Sequence, residues 1–163
     1  MVLRALIMPL EMPDMYREAI QLLREPAQLP LRVSHVTIGE AFNGICTDRR
    51  MTCDGSDCAL IEFNRLACSG QFLEVKGIGG IEQFHDIALE LHRADPRLER
   101  NDCLILALAI TDHDCDSFLT SDPILVHSQN LRELAAGYHT TIVPFGERLV
   151  VKDRKRRYSG RGR

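Results

Sequence analysis

Apolar residues recur at helical spacing through "DMYREAIQLLRE", where Tyr16, Ala19, Ile20 and Leu23 share one face and Pro26 follows as a stop. The pattern predicts an amphipathic helix from about Asp14 to Glu25. After the turn "PAQLP", the segment "LRVSHVTIGEAFNGI" offers Ser34 as an N-cap and Val36, Ile38, Ala41, Phe42 and Ile45 as an apolar side. A second helix is predicted to begin near Ser34. The chain is polar between Arg49 and Asp57. Then "CALIEFNRLACSG" sets Leu60, Phe63, Leu66 and Ala67 on one face, with Gly70 as a C-terminal stop, which predicts a third helix.

From here the type of pattern alternates. "FLEV" (72–75) reads as a strand, "KGIGG" as a turn and "IEQFHDIALELHRADP" as a helix. The apolar run from Asn101 to about Asp112 favours helix over buried strand, because Leu and Ala dominate it and Val is absent. "SFLTSD" (117–122) is a short buried strand, and "PILVHSQNLRELAAGY" one further helix, with Pro123 in its first turn and Gly137 near its end. "TTIVPF" (140–145) is a last strand. Strands separated by helices imply an α/β fold, a mainly parallel central sheet with helices on both faces.

Composition narrows this to one domain. The chain has 163 residues, 45% of them hydrophobic and 26% charged, which suits a single core. No apolar run approaches the roughly 20 residues that cross a bilayer, and the N-terminus lacks the three parts of a signal peptide, so a cytoplasmic location is expected. The six cysteines, Cys46, Cys53, Cys58, Cys68, Cys103 and Cys115, form no C-x-x-C unit, and several fall within apolar faces, so they read as reduced and mostly structural. A zinc shared by Cys53 and Cys58 would lack a second pair of ligands.

Charge divides the chain into two parts. The net charge of −3 conceals a tail, "KDRKRRYSGRGR" (152–163), with seven Lys/Arg and one Asp, or 7 − 1 = +6; the remainder carries 13 − 22 = −9. Residues 1–149 are therefore read as the domain and 150–163 as a basic flexible tail. Such a tail suits contact with nucleic-acid phosphates, although many similar tails only aid solubility.

Three acids stand at element ends or on a helix flank: Glu40 in the second helix, Asp102 heading "NDCLILALAI", and Asp122 closing "SFLTSD". In open α/β sheets, ligands bind beyond the carboxyl ends of strands, where loops and helix starts gather. If the three converge, their repulsion calls for a cation, and hard carboxylate oxygens suit magnesium or manganese. Each acid also has a plain structural explanation. Asp122-Pro123 is the form of an N-cap followed by proline, Asp102 could cap its own helix, and Glu40 could complete a capping box with Thr37.

The ordered set "VSHVTIGEAFNGI" with Glu40, "RNDCLILALAI" with Asp102 and "FLTSD" with Asp122 resembles the PIN-domain ribonucleases, including VapC-like toxins. The similarity covers most of residues 1–145. The resemblance implies a three-layer α/β/α fold and a magnesium- or manganese-dependent endoribonuclease site. In it Glu40, Asp102 and Asp122 are catalytic metal ligands, and Thr120 shapes the strand end. It further implies RNA as substrate, an antitoxin protein and a homodimer as partners. Arg49 and Arg50, or Arg154, Lys155, Arg156 and Arg157 in the tail, would hold the RNA backbone.

The chain departs from the family at its N-terminus, where members carry a strand ending in Asp within a D-T-N or D-T-S segment. In one register "VLRALIM" is that strand and Met8 replaces the Asp, leaving Glu11 or Asp14 as substitutes. In the other, which we favour, the strand would lie upstream of Met1, and the metal site of this chain would be a weakened one with three acids. Two rival readings remain: a catalytically degenerate PIN-like module that binds RNA or protein, and an α/β domain whose acids are caps.

Other signals are weaker. "GIGG" (77–80) lacks the Lys-Ser/Thr ending of a phosphate-binding loop and reads as a turn. His35, His85, His92, His113, His127 and His139 form no metal-ligating pair and read as surface or capping residues. "TDHDCD" (111–116) reads as a solvated acidic loop rather than a metal site. No G-x-S-x-G element supports a serine hydrolase.

Overall fold

A strand of three residues precedes the first described helix. In the computed structural model, which describes residues 31–47, 53–68, 72–75 and 80–144, β1 (Leu31–Val33) pairs in parallel with β2 (Phe72–Glu74), Leu31 standing opposite Phe72. β2 matches the predicted strand. β1 was not predicted, because three residues are too few to show a period and "LRV" merges with the helical pattern after it. The expected helix at 14–25, Gly70, Arg49, Arg50 and the basic tail lie outside the described residues.

Helix α1 (His35–Thr47) starts where the Ser34 cap was expected. The Ser34 hydroxyl oxygen accepts a hydrogen bond from the Thr37 amide at 3.1 Å, satisfying one of the unpaired donors of the first turn. Its buried strip is narrower than predicted: Ala41 and Ile45 are buried, whereas Ile38 and Phe42 are 36% and 53% exposed. Helix α2 (Cys53–Cys68) packs against α1 and begins before the predicted apolar face, within the stretch read as polar. Among its described side chains, Ala59 and Phe63 are buried.

The remaining elements assemble around one core. Helix α3 (Ile81–Ala94) lies against α4 (Arg100–Thr111), and β3 (Ser117–Thr120) pairs in parallel with β4 (Thr141–Pro144). Ile87, Leu91, Leu98, Leu106, Leu131 and Ile142 belong to the same buried cluster. Burying a side chain of this type contributes about 1.5–3 kcal/mol before chain entropy is counted. Every described strand pair is parallel, as predicted, in two sheets of two strands each. The fold is mixed α/β and mostly helical. Among the described residues, no helix is long and apolar enough to cross a membrane.

The single helix predicted after Pro123 is two helices, α5 (Pro123–His127) and α6 (Gln129–Gly137). Ser128 between them has an extended backbone, with φ −75° and ψ 110°. Its buried side chain acts on the Asp95 carboxylate in the turn between α3 and α4. The same carboxylate accepts from Arg97 Nε at 2.9 Å and Arg97 Nη2 at 2.7 Å. Hydrogen bonding by Arg97 first, and then the nearby Ser128 hydroxyl, hold the Asp95 carboxyl well below the usual carboxylate range. A tertiary interaction thus accompanies the break in a segment whose local pattern is continuous.

Candidate acidic site

The end of β3 places Asp122. The Asp122 amide donates to the Thr120 hydroxyl at 3.0 Å, turning the chain out of the strand. Asp122 Oδ1 then accepts from the amides of Ile124, at 2.7 Å, and Leu125, at 3.1 Å, with Pro123 in the first turn of α5. The capping explanation is therefore realised in full. Because both bonds end on Oδ1, Oδ2 has no hydrogen-bond partner among the described residues.

Asp102 behaves differently. It is not the cap of α4: Glu99 occupies that position, without a side-chain capping bond, and Asp102 is the third helical residue. Its carboxylate is partly buried and makes no hydrogen bond among the described residues. Burial first, and then the negative charges of Asp122, Glu40 and Glu99, push its pKa up to about 6. The positive end of the α4 dipole acts in the opposite sense, and it is outweighed.

Glu40 lies in mid-helix on α1 and is exposed. Since α1 starts at His35 with Ser34 as its cap, Glu40 is not part of a capping box with Thr37. The packing of α1 on α4 brings its charge within electrostatic reach of Asp102. Glu40 and Asp122, 62 and 20 positions away from Asp102 in the sequence, therefore both act on Asp102 in the fold. They do so through charge: no group of three or more His, Cys, Asp or Glu among the described residues is gathered so as to hold a metal ion.

Two features escaped the sequence reading. Glu99 adds a fourth negative charge, and its position three residues before Asp102 was the available signal. Arg32, in the unpredicted β1, ties the strand to the loop after α4. It donates through Nη1 to Asp112 Oδ2 at 3.2 Å and through Nη2 to Asp114 Oδ2 at 2.9 Å. The "TDHDCD" loop is consequently not simply solvated, since Asp112 is only 3% exposed and ion-paired. The structural cysteine reading also needs correction. Cys103 is buried, but Cys46, Cys58 and Cys68 are exposed, because they lie off the narrow packed strips of α1 and α2. The six histidines are all exposed, as expected. Arg49, Arg50, Arg154, Lys155, Arg156 and Arg157 lie outside the described residues.

No protein-family model matches the chain, and no curated protein or solved structure is significantly similar to it.

Proposed function

We propose that this chain is a PIN-type endoribonuclease with a weak, three-acid metal site, acting on RNA in the cytoplasm. The observation that supports the reading is the charge coupling of Asp102 to Asp122 and Glu40, acids singled out from three separate stretches of sequence. The donor chemistry fits a hard divalent cation. Asp102 has an unbonded, partly buried carboxylate, Asp122 keeps one oxygen outside its cap, and all the donors are carboxylate oxygens. Glu40, Asp102 and Asp122 would hold Mg2+ or Mn2+, which supplies activation of water and neutralisation of charge on the phosphoryl group.

The protein's own groups prepare that site. The amides of Ile124 and Leu125 fix the Asp122 carboxylate through Oδ1, and Thr120 fixes the backbone at Asp122. Asp102 becomes predominantly anionic only above about pH 6, so binding of a cation to the acids strengthens as pH rises through that value. Arg49, Arg50 and the tail cations, Arg154, Lys155, Arg156 and Arg157, would contact the RNA backbone. The same reading carries a three-layer arrangement, a homodimer and an antitoxin protein as proposals. A second reading, a degenerate PIN-like module that binds RNA or protein, is favoured by the absence of a gathered ligand group among the described residues.

The deciding experiment is cleavage of structured RNA with Mg2+ or Mn2+ by the full chain and by Asp102→Asn and Asp122→Asn. Slow, metal-dependent cleavage is expected, and each variant should lose at least about 100-fold, since changing even the groups that orient metal ligands costs 10–100-fold. Cleavage that persists unchanged in both variants overturns the assignment. No cleavage by the parent chain under any divalent metal favours the degenerate module. Tight manganese binding with fast cleavage would contradict the weakened site.

A further inference from the structure

The described strands stand as two separate pairs. β1 is bonded to β2 and β3 to β4, each in parallel, and no backbone hydrogen bond joins one pair to the other among the described residues. One edge of β1 and one edge of β3 are therefore without a partner strand there. The two strands nevertheless run in the same sense along α4. At one end of that helix, Arg32 of β1 reaches Asp112 and Asp114 in the loop that leads into β3. At the other end, about 15 Å away along the helix, Glu40 beyond β1 and Asp122 beyond β3 both act on Asp102. A parallel sheet is normally covered on both faces. Ile142 on β4 is buried, yet Val33 on β1 and Phe118 and Leu119 on β3 are only half-buried.

A single parallel strand bonded to both free edges would join the pairs into one sheet, with β1 and β3 about 9.5 Å apart on either side of it. We infer that residues 2–8, "VLRALIM", enter between β1 and β3 as that strand. They lie outside the described residues, and three properties of the chain select them. Six of the seven are apolar, the near-continuous pattern of a strand covered on both faces. Residues 9–30, which lead from the run to Leu31, number 22 and contain the helix predicted at 14–25, whereas a parallel crossover needs a dozen or more residues, usually with a helix. Charge agrees as well. A parallel insert begins at the Asp112 end of α4, which places Arg4 toward the acidic loop with the exposed Asp114.

The far end of the insert, at Met8, brings no carboxylate to the acids around Asp102, so the register in which Met8 replaces an Asp is the one the slot accepts. A second copy could offer the same run, but the short tether holds the chain's own run at a local concentration of order millimolar. The inference is independent of the nuclease reading, since it concerns strand pairing alone.

The unaltered full chain, isotope-labelled, tests it by NMR. Protons of residues 3–7 should show cross-strand contacts to both Leu31–Val33 and 118–120, and the amides of 3–8 should exchange at least about 100-fold more slowly than in an unstructured chain. Leu6→Pro, which removes a ladder hydrogen bond and does not suit a central strand, should abolish that protection and speed exchange in β1 and β3 at least about 10-fold, with α4 amides remaining slow. Arg4→Glu should speed exchange of 3–8 several-fold, and Arg4→Lys should leave it unchanged. Rapid exchange or helical chemical shifts throughout 2–8 in the unaltered chain overturns the inference. Contacts seen only between differently labelled molecules in a mixed sample give the slot to a second copy and overturn it too. Protected edges of β1 and β3 beside an unprotected run overturn the choice of occupant. Both sets of contacts within one molecule support the inserted strand, whether or not the protein cleaves RNA.

Discussion

The two ends of the described fold are built to different standards. From α3 to β4, helices and strands share one cluster of buried side chains that includes Leu91, Leu106 and Leu131, each with no measurable exposure. Among the described side chains of α1 and α2 the buried apolar positions are Ala41, Ile45, Ala59 and Phe63, while Ile38, Phe42 and Ile61 are exposed. Asp102 and Asp122 stand on the densely packed part and Glu40 on the sparse one. The contrast teaches that the three acids are not equally fixed. Two are held by a core, and the third depends on how α1 rests on α4.

Core truncation should separate the two parts most clearly. Leu106→Ala is expected to cost about 3–5 kcal/mol in urea unfolding, because a fully enclosed leucine leaves a cavity that rigid neighbours fill poorly. Ile45→Ala is expected near the lower end, about 2 kcal/mol, since Ile45, though fully enclosed, lies outside the buried cluster shared from α3 to β4. Equal costs would remove the distinction. Hydrogen exchange should follow the same order, with α1 amides exchanging through openings of lower free energy than those of α4.

Next in size is the tie between the parts. Breaking a buried ion pair by removing one partner costs about 3–5 kcal/mol, and Arg32 is 22% exposed, so Arg32→Met should cost about 2–3 kcal/mol. A double-mutant cycle with Asp112→Asn should show coupling, whereas additive losses would mean that the pair does not join β1 to the loop after α4.

Two acids should respond to pH in opposite directions. Asp102 has a raised pKa, so its protonated form favours the fold: that contribution is complete below its ordinary value of 3.8 and is lost as pH rises through about 6. A rise from 3.8 to about 6 corresponds to at most about 3 kcal/mol. Solvent screening of the partly exposed group reduces this to about 1–2 kcal/mol. Asp102→Asn should therefore raise stability by that amount at pH 7.5 and by almost nothing at pH 3.5, measured by thermal unfolding. Asp95 has a lowered pKa, so its contribution is present above 3.8 and disappears as acid protonates it; Asp95→Asn should destabilise at neutral pH. The smallest effect is expected at the exposed edge, where Phe42→Ser should change stability by less than about 0.5 kcal/mol.

Much of the local structure was legible in the residues. Ser34 marked the start of α1, Pro123 the start of α5, and the Leu/Ala content of 103–110 distinguished α4 from a strand, because caps and propensities act over a few neighbouring positions. The failures share a cause. β1 is too short for a period, and the break at Ser128 comes with an interaction with Asp95, 33 positions earlier. The partner of the buried Asp112 is likewise a cation 80 positions away. No spacing rule carries such information.

The site divides along the same line. The sequence by itself determined which acids occupy element starts and flanks, and that Asp122 would cap a helix, since these follow from chemistry within one turn of chain. Only the tertiary structure decided that Asp102 is not a cap, that Glu99 shares its surroundings, and that Asp122 and Glu40 bear on it. The physical reason is that repulsion between carboxylates depends on distance and on the water removed between them, and both are set by packing among α1, α4 and the end of β3.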